Sequence, residues 1–248
     1  MAKRRKIIRA GDLVSEVIYT APQPRDNART RAEKSKITSE AQKRLNIKTA
    51  KRKMEMRIAA NFDAGDLFVT LTFDSFHLPA RREAALARMR AFLRLLRAAR
   101  KARGDNLRYI YVLEGQHGEA RYHFHAFINS TGLRDVEDIK SLWVCGDDVD
   151  IKYIERDGYL ALAEYVTKER KPVGARSWVC SLNLKQPVVE SSFVPDSAAP
   201  VVPPEAHIIE REERINEWGG FQYVKYWRPQ YVVAARPCST SRRKRRKN

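Results

Sequence analysis

The segments "LRYIYVLEG" (107–115) and "RYHFHAFIN" (121–129) constrain this chain more than any other part of it. Both alternate between two sets of side chains. Only an extended backbone, with successive residues pointing to opposite faces, sorts such a pattern into two consistent surfaces. The residues between them, "QHGEA", suit a turn, so the pair reads as a β-hairpin. His123 and His125 then share one face of the second strand, roughly 6.6 Å apart at about 3.3 Å per residue.

Two imidazoles at that spacing can converge on one ion with bonds near 2.1 Å, about the length of a metal–nitrogen bond. Two ligands hold an ion weakly, so a third is expected. With "HGEA" (117–120) as the loop, Gln116 faces Arg121 and Glu114 lies opposite His123 on the histidine face. A slip of one residue would turn Glu114 to the other side. His117, within the loop, is the alternative third ligand. Ile110 and Val112 continue the histidine face, while Tyr109, Tyr111 and Leu113 line the other with Tyr122 and Phe124. Two nitrogens and a carboxylate suit Mn²⁺, or Mg²⁺ with more water.

Charge narrows the partner. Among 248 residues, Lys and Arg number 48 against 30 Asp and Glu, a net charge of +18. That is the footprint of a nucleic-acid binder. No apolar run is long enough to span a bilayer, and no basic amphipathic helix with a clean apolar face stands out. The start, "MAKRRKIIRAGD", lacks the apolar stretch of a secretory signal, so none is expected. Cys145, Cys180 and Cys238 show no CxxC spacing and read as free thiols, with no structural zinc.

Elsewhere, residues 1–60 read as a basic extension. "RTRAEKSKITSEAQKRLNIKTAKRKMEMR" has helix formers but little apolar periodicity, as in an exposed basic helix or partly ordered arm. "GDLFVTLTF" (65–73) is a buried strand. "RREAALARMRAFLRLLRAARKARG" (81–104) is a helix with Leu86, Met89, Phe92, Leu93 and Leu96 on one face and arginines on the others. A short helix (134–143), the strand "VDIKYIE", the amphipathic helix "YLALAEYVTKER" and a last strand "RSWVCSLNL" complete residues 61–185. The order predicts an α+β fold, with a central antiparallel sheet flanked by helices. Residues 186–204, rich in proline, read as a linker or meandering loop. Residues 205–248 read as a helix over 205–217, the aromatic segment "WGGFQYVKYWRPQYVV" and a basic tail. Those aromatics either form a small hydrophobic cluster, the favoured reading, or stack single-stranded bases.

Within "EYVTKER", Tyr165 and Lys168 are spaced i, i+3 and share a helix face. A phenol is a poor nucleophile, with a reference pKa near 10. A neighbouring lysine favours the phenolate and steadies charge on a pentacoordinate phosphorus, and a metal makes that phosphorus more electrophilic. Alone, Tyr-x-x-Lys is too common a spacing to carry weight.

"FVTLTF" (68–73), "HFH" (123–125) with Glu114 upstream, and "YVTK" (165–168), in this order and spacing, resemble the three motifs of HUH endonucleases, and within them the rolling-circle replication initiators of single-stranded DNA phages and plasmids. The resemblance spans about residues 65–185. It implies a ferredoxin-like or RRM-like sheet carrying a metal site of Glu114, His123 and His125 with Mg²⁺ or Mn²⁺, and Tyr165 holding the 5′ end of a nicked strand with Lys168 assisting. It further implies site-specific nicking and joining of single-stranded or locally melted origin DNA in a host bacterial cytoplasm. There is no GxxxxGK[ST] loop, so a host helicase and polymerase would be needed. The tyrosine follows the histidines, unlike in relaxases. Tyr159, six residues before Tyr165, faces elsewhere on the helix, which fits a single-tyrosine enzyme.

Phosphate and DNA contacts are expected from Arg97, Arg100 and Arg103 on the arginine-rich helix, from Thr70 and Thr72, from Arg121, and from Arg242, Arg243, Lys244, Arg245 and Arg246 in the tail. That tail could also serve as a nuclear-targeting signal, the weaker reading for a bacterial-type initiator. The rival functions are a single-tyrosine transposase of the same superfamily and a non-catalytic nucleic-acid-binding protein whose histidines are merely packed.

Overall fold

Period-two alternation dominates the chain, and the computed structural model, which describes residues 3–20, 40–115, 121–155, 178–216 and 219–229, resolves it into two antiparallel sheets with three helices. The fold is α+β. The loop residues 116–120 with His117, the expected helix 159–170 with Tyr159, Tyr165 and Lys168, Cys238 and the tail 242–246 lie outside the described residues.

The sheet that carries the histidines has the order β6-β3-β5-β4-β7. Its strands are β3 (Leu67–Thr72), β4 (Tyr109–Glu114), β5 (His123–Ile128), β6 (Val149–Tyr153) and β7 (Val179–Cys180). Among the described residues of the expected final strand "RSWVCSLNL", two pair, Val179 and Cys180, at the edge of the sheet. Leu67, Val69, Leu71, Tyr111, Leu113, Phe124 and Ala126 point to one face. There they meet Ala85, Met89, Phe92, Leu93 and Leu96 of α2 (Arg82–Ala102), and Ile139 of α3 (Asp135–Leu142). Phe68, Ile110, Val112 and Phe127 face the other way. They pack on Met54 and Ile58 of α1 (Glu40–Ala59), Phe62, Leu13 and Trp227.

The other sheet departs from the expectation of a single sheet. Its order is β8-β1-β2-β10-β9. It draws on segments far apart in sequence: β1 (Lys3–Ala10), β2 (Leu13–Thr20), β8 (Val188–Val194), β9 (His207–Asn216) and β10 (Gly219–Trp227). The N-terminal extension thus joins this sheet over residues 3–20, and the basic helix expected within it is α1 over its described part. The extension opens with a hairpin whose two-residue turn places Gly11 at φ 58, a conformation glycine adopts without strain. A side chain there would also strike the Ala59 carbonyl, 2.6 Å from the position of a Cβ.

Residues 188–194 are a strand rather than a linker. Pro187 and Pro195 stand just outside its ends, where a missing N–H removes no ladder bond. The expected helix over 205–217 is β9. Its Glu and Arg residues favour a helix locally, but pairing with β10 from Gly219↔Asn216 to Trp227↔His207 overrides that preference. Glu210 and Glu212 then face cations of α1, with Arg52 bonding Glu210 and Lys48 pairing with Glu212. Buried Lys225 of β10 bonds Glu55 of α1 at 2.9 Å, fixing helix to sheet. No helix among the described residues is long and apolar enough to cross a membrane.

A buried polar clamp joins α2 to α3. Arg100, 0% exposed, donates to Asn129 and Asp135 at 2.9 Å each. Asp135 also accepts from the backbone of Thr131 and Gly132 and from the hydroxyls of Ser130 and Thr131. Burial alone would raise the Asp135 pKa, but these bonds and the Arg100 charge lower it below the usual carboxylate range. The clamp therefore contributes fully above about pH 4, the ordinary carboxylate pKa, and fails as pH falls through the depressed value. Asp135→Ala strands a buried guanidinium and should cost about 3–5 kcal/mol in denaturant unfolding at neutral pH.

Candidate metal centre

The β4–β5 register decides the site. Glu114 pairs with His123 and Val112 with His125, so the carboxylate and both imidazoles emerge on one face. Immediately after Glu114, Gly115 turns the chain at φ 96. A Cβ there would lie 2.5 Å from the Arg121 carbonyl, so the close return of the hairpin requires glycine.

Second contacts orient both rings. The His123 Nδ1 lies 2.9 Å from the Arg121 carbonyl, which can only accept. Nδ1 therefore carries a proton, and Nε2 is the nitrogen turned toward the cluster. His125, 4% exposed, stacks on Phe68 at 5.6 Å and meets the Thr70 hydroxyl through Nδ1 at 3.2 Å. The two rings stand nearly perpendicular, with centroids 4.9 Å apart. Both Nε2 atoms converge on one Glu114 oxygen, at 3.5 Å from His123 and 3.6 Å from His125.

One ligand atom from each residue falls within 4.8 Å of the others. An ion about 2.1 Å from each ligand would hold neighbouring ligands roughly 3.0–3.4 Å apart, and the two Glu114–imidazole distances of 3.5 and 3.6 Å exceed that by a few tenths of an ångström. The other Glu114 oxygen, Oε1, is buried without a hydrogen-bond partner among the described residues. Buried carboxylate oxygens seldom go unsatisfied, and a cation would answer this one. Burial would raise the Glu114 pKa, but the two imidazoles outweigh it and hold the pKa to about 2, keeping the group ionised. The donor set fits a divalent ion.

The other expected contact residues divide between the two sides of the sheet. Thr70 and Thr72 share the histidine face, with hydroxyls engaged by His125 and by the Asp148 carbonyl, at 2.6 Å for the latter. Arg121 bonds Ser75. It lines a cavity of about 550 Å³ beside His123, together with Thr72, Asp74, Tyr122, Asp147 and Asp148. Arg97 lies on α2 and Arg103 caps its C-terminal end, across the sheet from the cluster. Arg97 leans over Tyr109, and Arg103 pairs with Asp138 and Asp105. Arg100 is removed from the DNA-contacting set, because it is fully buried in the α2–α3 clamp. Tyr165, Lys168 and Arg242, Arg243, Lys244, Arg245 and Arg246 lie outside the described residues.

Two supporting relations emerge only from the structure. Thr70 orients His125 and Phe68 stacks on it; both sit in "FVTLTF", where only the cross-strand pairing Thr70↔His125 reveals the relation. Gly115 stands in the sequence as a glycine ending a strand, but its close approach to Arg121 has no local signal.

Residues 66–170 match the model of a protein family described as replication-associated proteins of the ORF2 type. The match covers less than half of the chain and takes in Glu114, His123 and His125. Over that span the chain is similar to replication-associated proteins, which sets it in the context of DNA replication. A search of the curated proteins found no match. Nor did a search of the solved structures.

The geometry predicts a thermal shift on adding Mn²⁺. A ligand at about 100 times its Kd stabilises the folded state by about 2.7 kcal/mol. The shift should vanish in His125→Ala and Glu114→Ala, as read by differential scanning fluorimetry with and without chelator.

Proposed function

We propose that the protein is an HUH-type replication initiator, which nicks and rejoins one strand of origin DNA through Tyr165 and so starts rolling-circle replication of a phage or plasmid. One observation carries the reading: Glu114, His123 and His125 converge within a segment that matches replication-associated proteins.

Glu114, His123 and His125 would hold Mg²⁺ or Mn²⁺. Such an ion supplies Lewis-acid polarisation of the scissile phosphate. The Tyr165 oxygen attacks phosphorus in line, forming one P–O bond as the P–O3′ bond breaks. The fragment downstream of the nick stays on Tyr165 through its 5′ phosphate, now a phosphodiester, and the upstream fragment leaves with a protonated 3′ hydroxyl to prime synthesis. One diester replaces another, so the reverse attack reseals the strand without ATP. Lys168 favours the phenolate and steadies the charge on phosphorus. Arg121, at the rim beside His123, and the basic tail are the proposed phosphate contacts. A host helicase and a host polymerase are the proposed partners for unwinding and synthesis.

The test is a covalent adduct that survives denaturation after incubation with single-stranded origin DNA and Mn²⁺. Tyr165→Phe should abolish the adduct while DNA binding persists, and His125→Ala or chelator should do the same through the metal. Lys168→Ala should slow the reaction without stopping it. An adduct retained in Tyr165→Phe would move the nucleophile elsewhere, Tyr159 first. Tight binding without any adduct would favour a non-catalytic binding protein.

A further inference from the structure

The β8-β1-β2-β10-β9 sheet lies outside the family match and takes no part in the metal centre. At its end distant from the other sheet, the registers align one residue from each strand across a single face. Phe193 pairs with Arg4, Arg4 with Tyr19, Tyr19 with Phe221, and Phe221 with Arg214. Aromatic and cationic side chains thus share one continuous row. At about 4.8 Å between strands, five strands spread it over roughly 19 Å. The next row on the same face adds Lys6 and Tyr223.

This face is open where the row begins. Phe193 is 72% exposed and Val189, on the same face, is 55% exposed. An edge strand showing two such apolar groups is ordinarily covered or blunted. The Arg4 guanidinium lies 5.9 Å from the Phe193 ring and donates to the Ser191 hydroxyl, and no carboxylate pairs with it among the described residues. Lys6 likewise has no ion pair among the described residues. Tyr19 and Phe221 are half-buried, with Phe221 stacked on Tyr223 at 6.5 Å. Farther along, Tyr223, Lys225 and Trp227 are buried, so for them the hydrophobic-cluster reading holds. Phe221 stands apart from them at the open end.

Rings that run from exposed Phe193 to half-buried Tyr19 and Phe221, beside Arg4 and Lys6 with no carboxylate partner among the described residues, suit single-stranded nucleic acid. Every base offers a π-face to a ring, and every nucleotide brings a phosphate. A protein partner would bury Arg4 and Lys6 and would have to supply carboxylates to both. We infer that the row Phe193, Arg4, Tyr19 and Phe221, with Lys6 beside it, binds single-stranded DNA without regard to sequence. It lies roughly 20 Å along β1 from Ala10, where this sheet meets the other, at about 3.3 Å per residue. It would hold a separate stretch of the strand from that at the metal centre.

The test uses the full-length protein, a fluorescent oligo(dT) that carries no origin, and chelator, so that nicking plays no part. Phe193→Thr, a strand-compatible change at an exposed edge, should weaken binding by between about five- and a hundred-fold, the range for losing one stacked base. Arg4→Gln with Lys6→Gln should lower the slope of log K against log salt by about 0.7 per lost contact. Binding to a duplex of the same length should change much less in Phe193→Thr. On the wild type, ultraviolet crosslinking to an iododeoxyuridine-substituted oligonucleotide should map by mass spectrometry to Phe193, Tyr19 or Phe221. The inference fails if Phe193→Thr, with an unchanged circular dichroism spectrum, binds oligo(dT) as the wild type does, or if crosslinks fall only elsewhere. It also fails if Phe193→Thr changes the sedimenting mass and leaves DNA affinity unchanged, since the face would then be a contact between protein chains.

Discussion

The pairing of Glu114 with His123 is the constraint on which the functional face depends. One residue of slip would turn the carboxylate into the core beneath α2 and expose Leu113 beside the histidines, losing the cluster and opening the core together. Two features hold the register. Phe124, Tyr111 and Leu113 are committed to the α2 side, and Gly115 permits the tight return against Arg121. Packing energy thus specifies the candidate metal ligands. The site is precise because its strands are anchored on the opposite face.

Around that hairpin, each ring is held by a neighbour contributed by a different strand or turn. Thr70 comes from β3, Phe68 lies under His125, and the Arg121 carbonyl directs His123. Such supporting contacts fix ring orientation before any ligand arrives, which lowers the cost of organising the site when it fills. The long clusters of arginine on α2 lie on the other side of the sheet. One of them, Arg100, serves the fold through Asn129 and Asp135.

The hairpin, α2 and the convergence of Glu114 with two histidines are legible in the sequence because each is a local pattern. Alternation with a fixed loop length gives the register, and 3.6-residue periodicity gives the buried stripe of α2. The second sheet is not legible, for identifiable reasons. In β1, Ile7 and Ile8 are consecutive because the sheet is covered in part on both faces, so the alternation disappears. In β9, glutamate and arginine favour a helix, and only β10 and the cations of α1 make the strand preferable. In β8, two bracketing prolines suggest a linker although neither lies within the strand. A basic residue on a helix, finally, reads as solvated until the partner is known, and nothing near Arg100 in sequence announces Asp135, 35 residues on.

The closing of one sheet by distant segments bears on how the protein is made. Arg9 meets Glu190 across a separation of 181 residues, and β2 pairs with β10, which is almost the last described element. On a ribosome, the hairpin of β1 and β2 emerges long before the strands β8 and β10 that flank it. The strands from β3 to β7 have their paired strands before β8 and β10 are made, although Trp227 of β10 joins their core last. The order of synthesis thus lets the middle sheet pair before the outer one is complete. The exposed edges of β1 and β2 must stay soluble in the interval, and the charges of "KRRK" on β1 suit that task, since like charges discourage strand edges from pairing with one another.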